Sequence, residues 1–251
     1  MNKFFVVSDI HSYLTPLKTA LKEKWYNKHN KHHYLIVCGD IFDRGNETKE
    51  LLNYLLSIPK KRLILIRGNH EDLMEQCIDC LNTQQQTNIH LHINNGTFKT
   101  LMHLTKIIYP YEYVGKAKQV RRKLKRYYKL VNRCVDYYEL GKYVFVHGWI
   151  PDKNYKCCTK KDWEKARWCN GMQYAHEGFI IPNKIVVCGH WHTSYGNYNF
   201  HKIGDGEFTK NACFDIYKND GIIAIDGNVA HTNKINVLVI DEGDLCIKKK
   251  S

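Results

Sequence analysis

The segment Tyr34-Leu35-Ile36-Val37-Cys38-Gly39-Asp40-Ile41-Phe42-Asp43-Arg44-Gly45 gives the first indication of the fold. It begins with a continuous apolar run, residues 34–38, which is typical of a strand buried on both faces of a parallel sheet. The polar residues that follow would lie at the carboxyl end of this strand, where open α/β sheets bind their ligands. The segment therefore predicts a strand that delivers Asp40, Asp43 and Arg44 to a binding site.

Four further polar clusters directly follow apolar runs in the same way. They are Asp9-Ile10-His11, Gly68-Asn69-His70-Glu71, His147-Gly148 and Gly189-His190-Trp191-His192. Each cluster alone is weak evidence, since Asp-x-His is common by chance, Asp-Arg-Gly also suits a turn and Asn-His-Glu also suits a helix cap. Together they supply carboxylates, imidazoles and one amide, which can hold two divalent metal ions over a phosphate. The sequence therefore predicts a phosphoesterase.

The first third of the chain alternates strands with helices. Strands are predicted at residues 3–8, 34–38 and 62–66, and helices at 15–25, at about 47–57 and from about 71 onward. This β-α-β-α-β order favours a parallel sheet with right-handed crossovers.

The rest of the chain predicts a second sheet. Residues 94–140 are expected to be mostly helical, and the segment beyond residue 198 has the turn-rich texture of an antiparallel meander. The predicted fold class is α/β, a sandwich of two sheets flanked by helices. Strands are expected at residues 143–146, 184–188, 214–217, 222–225 and 235–240.

The composition indicates how many domains the chain has and which classes of protein it can belong to. With five prolines and no low-complexity stretch, residues 1–251 are expected to form a single domain with a mostly helical insert at about 82–140. The ten cysteines come without a secretion signal and are expected to be reduced. The first apolar run, residues 4–7, is too short for a signal peptide or a membrane span, so we expect a soluble, cytoplasmic protein with no membrane partner.

The net charge of +13 favours anionic partners. Much of the excess lies in residues 116–129, which predict one basic helix. A solvated helix is the preferred interpretation, because no base-stacking motif accompanies the basic residues. Nucleic acid is therefore a conceivable partner but not the favoured one.

The residue types suggest a role for each candidate metal ligand. Two divalent ions about 3.5–4 Å apart need a carboxylate between them, and Asp40 is the best candidate. Asp9 and His11 lie two residues apart on an extended segment, so they point to the same side and would bind the first ion. Oxygen and imidazole donors without thiolate suit Mn, Fe or Zn better than Ca or a structural zinc, and Mn is the first expectation. The second ion would be completed by Asn69, His147 and His190.

A second group of residues suits the handling of phosphate. His70 follows a proposed ligand and can protonate a leaving alkoxide, with Asp43 as its partner. Arg44 offers a bidentate fork for phosphate oxygens, which a lysine cannot reproduce. Gly45 and Gly68 suit tight turns where the backbone passes close to the site.

The order of these clusters resembles the calcineurin-like metallophosphoesterase superfamily. Asp43-Arg44-Gly45 and Asn69-His70-Glu71 are similar to the phosphoprotein phosphatase branch, which includes serine/threonine phosphatases and the bacterial and phage relatives that hydrolyse phosphoproteins or dinucleoside polyphosphates. The matching clusters extend from Asp9 to His192. The resemblance implies a four-layer sandwich of two mixed β-sheets between helices.

The resemblance also implies how the site is assembled. A hydroxide bridging two metal ions would attack phosphorus directly, and His70 with Asp43 would assist the leaving group. One metal would be bound by Asp9, His11 and Asp40, and the other by Asp40, Asn69, His147 and His190. The substrate phosphate would be held by Arg44, Asn69 and Arg167, the last being the only arginine between His147 and His190.

One cluster departs from the phosphoprotein phosphatase branch. Gly189-His190-Trp191-His192 resembles the Gly-His-x-His of other superfamily members, including phosphodiesterases, in which the second histidine joins the first metal. His192 is therefore a further candidate ligand.

The leading hypothesis is a metal-dependent phosphatase that hydrolyses phosphomonoesters, either phosphoserine and phosphothreonine in proteins or a small phosphate ester. The alternative is a nucleotide pyrophosphohydrolase of the diadenosine tetraphosphatase type or a phosphodiesterase, supported by His192 and by the basic residues 116–129. A non-enzymatic scaffold is less favoured, because such a protein would be expected to lose ligands and this chain has a candidate at every position.

Overall fold

The first strand packs against two different cores, one on each face. The computed structural model describes residues 1–80, 89–106 and 115–246, and it begins with β1 (Lys3–Val7). Side chains alternate along a strand, so Phe5 and Val7 join the core on one face while Phe4 and Val6 join the core on the other. The continuous apolar sequence is explained by this burial on both faces.

The elements follow in the order strand, helix, strand that the sequence predicted for the first third. After β1 come α1 (Leu14–Glu23), β2 (His33–Cys38), α2 (Thr48–Leu56), β3 (Leu63–Ile66) and α3 (Asn69–Cys80). Helices follow as α4 (Ile89–Asn94), α5 (Thr97–Thr105), α6 (Ala117–Lys123) and α7 (Lys125–Val131). The later elements are β4 (Tyr138–Leu140), β5 (Tyr143–Phe145), α8 (Lys160–Ala166), α9 (Gly171–His176), β6 (Ile185–Cys188), α10 (Thr193–Asn199), β7 (Tyr217–Asn219), β8 (Ile222–Ala224), α11 (Val229–Thr232) and β9 (Leu238–Asp241).

The described strands form two mixed sheets. The first has the order β3-β2-β1-β9, in which β9 alone is antiparallel to its neighbour. The second has the order β4-β5-β6-β8-β7, with parallel pairing in its centre and an antiparallel strand at each edge. The predicted fold class, a sandwich of two mixed sheets flanked by helices, is confirmed.

In the described part of the chain, three apolar cores separate the four layers. Residues of both sheets, such as Ile36 and Phe145, form the core between the sheets. The outer face of the first sheet packs on helices through residues such as Leu17 and Leu51. The outer face of the second sheet packs on α8 and α9 around Trp149 and Trp163.

Two predictions about secondary structure were wrong. The last three strands do not form a meander, because β8 pairs in parallel with β6 and β9 crosses to the first sheet beside β1. Residues 116–129 form two short helices rather than one, with the break at the buried Leu124. Arg121 in this stretch pairs with Glu75 and Asp79 of α3, at 2.7 Å each, so part of the basic charge is neutralised within the fold.

The insert predicted at about 82–140 is mostly helical where the structure describes it, but its last residues form β4. Residues 82–88 and 107–114 of this insert lie outside the described residues. All ten cysteines are free. Within the described residues, no helix combines the length and apolar character needed to cross a bilayer.

Candidate metal centre

The polar clusters lie at the carboxyl ends of five strands, where Asn69-His70-Glu71 begins α3 and several of the other clusters have an unusual backbone. Six non-glycine residues of the clusters adopt the left-handed region, which L-residues rarely occupy. Such conformations cost free energy and concentrate at functional sites. The residues, with their φ angles, are Asp9 (49°), His11 (47°), Asp40 (51°), Asp43 (75°), Arg44 (59°) and His190 (66°).

Glycine is required where two of these loops touch a carboxylate. A Cβ at Gly68 would lie 2.9 Å from Glu71 Oε2 and even closer to Asp40, and a Cβ at Gly189 would overlap the carboxylate of Asp9. The absence of a side chain lets the backbone approach both acids.

Asp40 is shared by two groups of potential metal donors. In the described residues, His11, Asp40 and His70 form one group, and Asp40, His147 and His190 form the other, with donor atoms within 4.8 Å of one another in each. Asp40 Oδ1 lies 3.3 Å from His147 Nε2, and Asp40 Oδ2 lies 3.7 Å from His11 Nε2. One carboxylate thus presents an oxygen to each group, as a bridging ligand would.

Second hydrogen bonds fix the orientation of two imidazoles. His147 Nδ1 lies 2.8 Å from the carbonyl oxygen of Cys38, and His11 Nδ1 lies 3.0 Å from that of Phe42. A carbonyl only accepts, so each Nδ1 carries the proton, and each Nε2 faces the centre with a lone pair when the ring is neutral. Metal-binding histidines are commonly oriented by such outer hydrogen bonds.

The electrostatics of the site favour a bound cation. His147 Nε2 lies 2.7 Å from Asn69 Oδ1 as well as 3.3 Å from Asp40 Oδ1, so three acceptor atoms would face one another if the ring were neutral and no cation were bound. Burial disfavours a charged imidazole, yet Asp40 raises the pKa of His147 to about 10, so a proton supplies positive charge at this point. Burial and the charge of His147 lower the pKa of His190 to about 3, which keeps that ring in the neutral form that binds metals.

Asp9 is adjacent to both groups but belongs to neither. Its Oδ2 accepts a hydrogen bond of 3.0 Å from the backbone N–H of His190. Burial raises its pKa to about 6, with a further contribution from the nearby charge of Asp40. Two buried carboxylates of like charge are stabilised by a cation, so the residues present fit a divalent metal centre.

His70 and Asp43 form a close pair beside the first group. His70 Nδ1 lies 2.7 Å from Asp43 Oδ2, and both side chains are buried. Burial opposes charging of His70, but Asp40 and Asp43 raise its pKa, which favours the protonated acid. The exposed Arg44 reaches over this pair, with Nη1 3.0 Å from His11 Nε2 and Nη2 3.4 Å from His70 Nε2.

These loops match a known family in sequence. The family model for calcineurin-like phosphoesterases covers residues 2–194. The chain belongs to the calcineurin-like phosphoesterase family. The family predicted from the sequence is confirmed, and with it the general class of phosphoesterases.

Curated relatives of this phosphoesterase match over a short segment. A symmetrical bis(5'-nucleosyl)-tetraphosphatase of Buchnera aphidicola subsp. Schizaphis graminum is 34% identical over 67 residues, which is 27% of this chain and 23% of the relative. The enzyme of the same name from Buchnera aphidicola subsp. Acyrthosiphon pisum is 34% identical over 71 residues, 28% of this chain and 24% of the relative. The matched segment thus spans about a quarter of the length of these relatives.

Solved structures share the fold over almost the whole phosphoesterase. A putative diadenosine tetraphosphatase has a TM-score of 0.55 at 11% identity, covering 96% of this chain and 90% of that chain. A cold-active protein tyrosine phosphatase of a Shewanella species has a TM-score of 0.53 at 14% identity, covering 96% of this chain and 76% of that chain. At these identities the likeness concerns the fold alone.

Two predicted site residues of the phosphoesterase have other partners. His192 belongs to neither donor group, and its Nε2 lies 3.0 Å from Glu207 Oε2. The buried guanidinium of Arg167 pairs with Asp72 at 2.5 Å and with Asp136. The assignments of His192 as a ligand and Arg167 as a phosphate-binding residue stay predictions.

Sequence reasoning gave no role to two buried acids of this phosphoesterase. Glu71 accepts hydrogen bonds from the backbone N–H groups of Gly68, Asp40 and Ile41, at 2.8, 3.1 and 3.0 Å, and so ties two site loops together. Asp226 follows β8 and the apolar Ile225, and burial together with Asp9 raises its pKa to about 8. The same signal that found the other clusters, a polar residue after an apolar run, also marks Asp226.

Proposed function

We propose that this protein is a metal-dependent phosphoric ester hydrolase that acts by direct displacement at phosphorus, without a phosphoenzyme. The observation that carries the proposal is Asp40, a buried carboxylate shared by two groups of metal donors. Two-metal hydrolases hold their ions about 3.5–4 Å apart and clamp the attacking and leaving oxygens between them. Manganese is the metal we expect, from the mixture of carboxylate, amide and imidazole donors.

The proposed ligand sets start from the two donor groups, with Asp9 in place of His70 in the first and Asn69 added to the second. One ion would be held by Asp9, His11 and Asp40, with His192 as a further candidate, and the other by Asp40, Asn69, His147 and His190. A bound pair of divalent ions supplies Lewis-acid stabilisation of phosphoryl oxygens and a water nucleophile of lowered pKa.

The remaining chemistry belongs to side chains of the chain itself. With Nδ1–H donated to Asp43, protonated His70 would deliver its Nε2 proton to the leaving oxygen and return to the neutral form. Arg44 would bind two phosphate oxygens through its fork, which lies over the first donor group. Arg167 would contribute a second cation if substrate draws it away from Asp72.

Two substrate classes are proposed. The pairing of His70, Asp43 and Arg44 suits a terminal phosphate with a basic leaving group, as in phosphoserine, phosphothreonine or a small phosphate ester. A dinucleoside polyphosphate is the second candidate, favoured by the short sequence match to two symmetrical tetraphosphatases. We expect either substrate to be met in the cytoplasm.

A panel of substrates tests the proposal. Wild-type protein and Asp40→Asn are assayed with added Mn²⁺ on a phosphopeptide, diadenosine tetraphosphate and bis-p-nitrophenyl phosphate. Hydrolysis by the wild type and its loss in Asp40→Asn are expected. Dominant cleavage of the diester would reject the monoesterase assignment, and equal activity of both proteins would reject the metal centre.

A further inference from the structure

The hydrogen-bonded pair His70–Asp43 is extended by a third side chain, which lies in the predicted insert. Thr97, the first residue of α5, is fully buried, and its hydroxyl donates a 2.8 Å hydrogen bond to Asp43 Oδ2. The same carboxylate oxygen lies 2.7 Å from His70 Nδ1. A carboxylate accepts without donating, so both groups direct a hydrogen at one oxygen and the three side chains form a chain Thr97–Asp43–His70.

The start of α5 also forms hydrogen bonds with the backbone of the loop that carries Asp43. The backbone N–H of Asp43 donates a 2.9 Å hydrogen bond to the hydroxyl of Thr100, and Lys99 Nζ donates one of 2.9 Å to the carbonyl of Arg44. Gly96, with φ of 80°, lies so close to the backbone nitrogen of Arg44 that a Cβ at this position would overlap it. Asp43 and Arg44 both have left-handed backbones, with φ of 75° and 59°, so these contacts hold a conformation that the loop would not favour alone.

We propose that Thr97 is a positioning residue for phosphate ester hydrolysis. The start of α5 thus supports the catalytic side chains and belongs to the site. The proposal rests on the proposed function. The Thr97 hydroxyl holds Asp43 in the rotamer that accepts from His70 Nδ1, and this bond in turn holds the imidazole with Nε2 toward the leaving oxygen. No proton passes through Thr97. It acts only through Asp43.

Comparing kcat for esters with leaving groups of different basicity distinguishes this role from a general loss of structure. A strongly basic leaving group, such as the serine alkoxide of phosphoserine, needs a proton from a general acid, whereas p-nitrophenolate does not. In Thr97→Val, which keeps the shape and removes the hydroxyl, we expect kcat for phosphoserine to fall about 10- to 100-fold, the range for one hydrogen bond to a charged group. For p-nitrophenyl phosphate we expect a change below about 2-fold, because general-acid assistance contributes little there.

Two variants serve as controls. Thr97→Ser restores the hydroxyl and should recover most of the activity on phosphoserine. Thr105→Val removes a buried hydroxyl from the other end of the same helix, where it donates to the carbonyl of Leu101, and should leave both activities unchanged.

A second measurement does not depend on turnover. In the metal-free protein, the Nδ1–H proton of His70 should give a downfield NMR signal, protected by its bond to Asp43, and this signal should broaden in Thr97→Val but not in Thr97→Ser. Equal losses on both esters, or no loss with an unchanged NMR signal, would overturn the role of Thr97. If the wild type hydrolyses neither ester, the proposed function fails, while the NMR comparison still tests the positioning.

Discussion

Replacing Gly68 by alanine probes how closely the backbone must approach Asp40. Gly68 precedes Asn69, and its N–H donates a 2.8 Å hydrogen bond to Glu71 Oε2. A Cβ here would lie 2.9 Å from that oxygen and closer still to the backbone nitrogen and carboxylate of Asp40. Because one of these atoms is backbone, rotation of a side chain cannot relieve the overlap.

The size of the effect follows from these contacts. Carbon and oxygen atoms pack at about 3.5 Å, so even the least severe contact requires a shift of about 0.6 Å, and Asp40 must move further. Metal–ligand distances tolerate about 0.2 Å, and a displacement of about 1 Å in a catalytic group can cost about 100-fold in rate. We expect Gly68→Ala to lose about 100-fold in kcat/KM. The overpacking should also cost about 1–3 kcal/mol of unfolding free energy, which lowers Tm by about 2–12 °C.

The assay combines activity, metal content and thermal unfolding. Hydrolysis of p-nitrophenyl phosphate is measured with added Mn²⁺, bound manganese is counted after gel filtration, and Tm is followed by circular dichroism. Gly243→Ala is the matched control, since a Cβ there would meet no atom within 4 Å. Wild-type activity and a full complement of metal in Gly68→Ala would refute the reasoning that the loop is packed to its limit around Asp40.

Three further predictions concern individual acids and bases of the site. Asp40→Asn should abolish most turnover and weaken Mn²⁺ binding, as measured by isothermal titration calorimetry, because a bridging amide lacks the charge that offsets two cations. His70→Ala should lower kcat on phosphoserine by about 100-fold or more with little change in metal content, and a stoichiometric loss of metal would instead identify His70 as a ligand. Burial and Asp9 raise the pKa of Asp226 to about 8, so the folded protein binds the proton of Asp226 more tightly than the unfolded chain does. The unfolding free energy of the metal-free protein should therefore fall as pH rises from about 4 through 8. Urea unfolding in EDTA at pH 5 and pH 9 should show a smaller decrease in Asp226→Asn than in the wild type, and identical decreases would contradict this assignment.

The candidate site was largely predictable because its residues directly follow strands. Asp40, Asn69, His147 and His190 each follow a buried apolar run, and a parallel arrangement brings such strand ends to one edge of the sheets. The residues that support the site were not predictable in this way. Thr97 lies at the start of a helix far along the chain from Asp43, and no periodicity or spacing connects them.

For charged side chains too, the sequence predicted the residue but not the partner that it contacts. Arg167, which is predicted to bind phosphate, pairs in the fold with Asp72 and Asp136, two residues far from it in sequence. His192 lies close to His190 along the chain, yet its ring turns to Glu207. A side chain with several possible partners is placed by the packing around it, which local sequence does not encode.

The sequence by itself determined the two-sheet α/β fold, the family and the residue types of the candidate metal centre, because buried strands and the polar residues at their ends are local patterns. Only the tertiary structure decided that β9 completes the first sheet, that α5 supports Asp43, and that Asp40 presents one oxygen to each donor group. These features arise from contacts between segments distant in sequence, whose free energies depend on the packing of the whole fold rather than on any one stretch of chain.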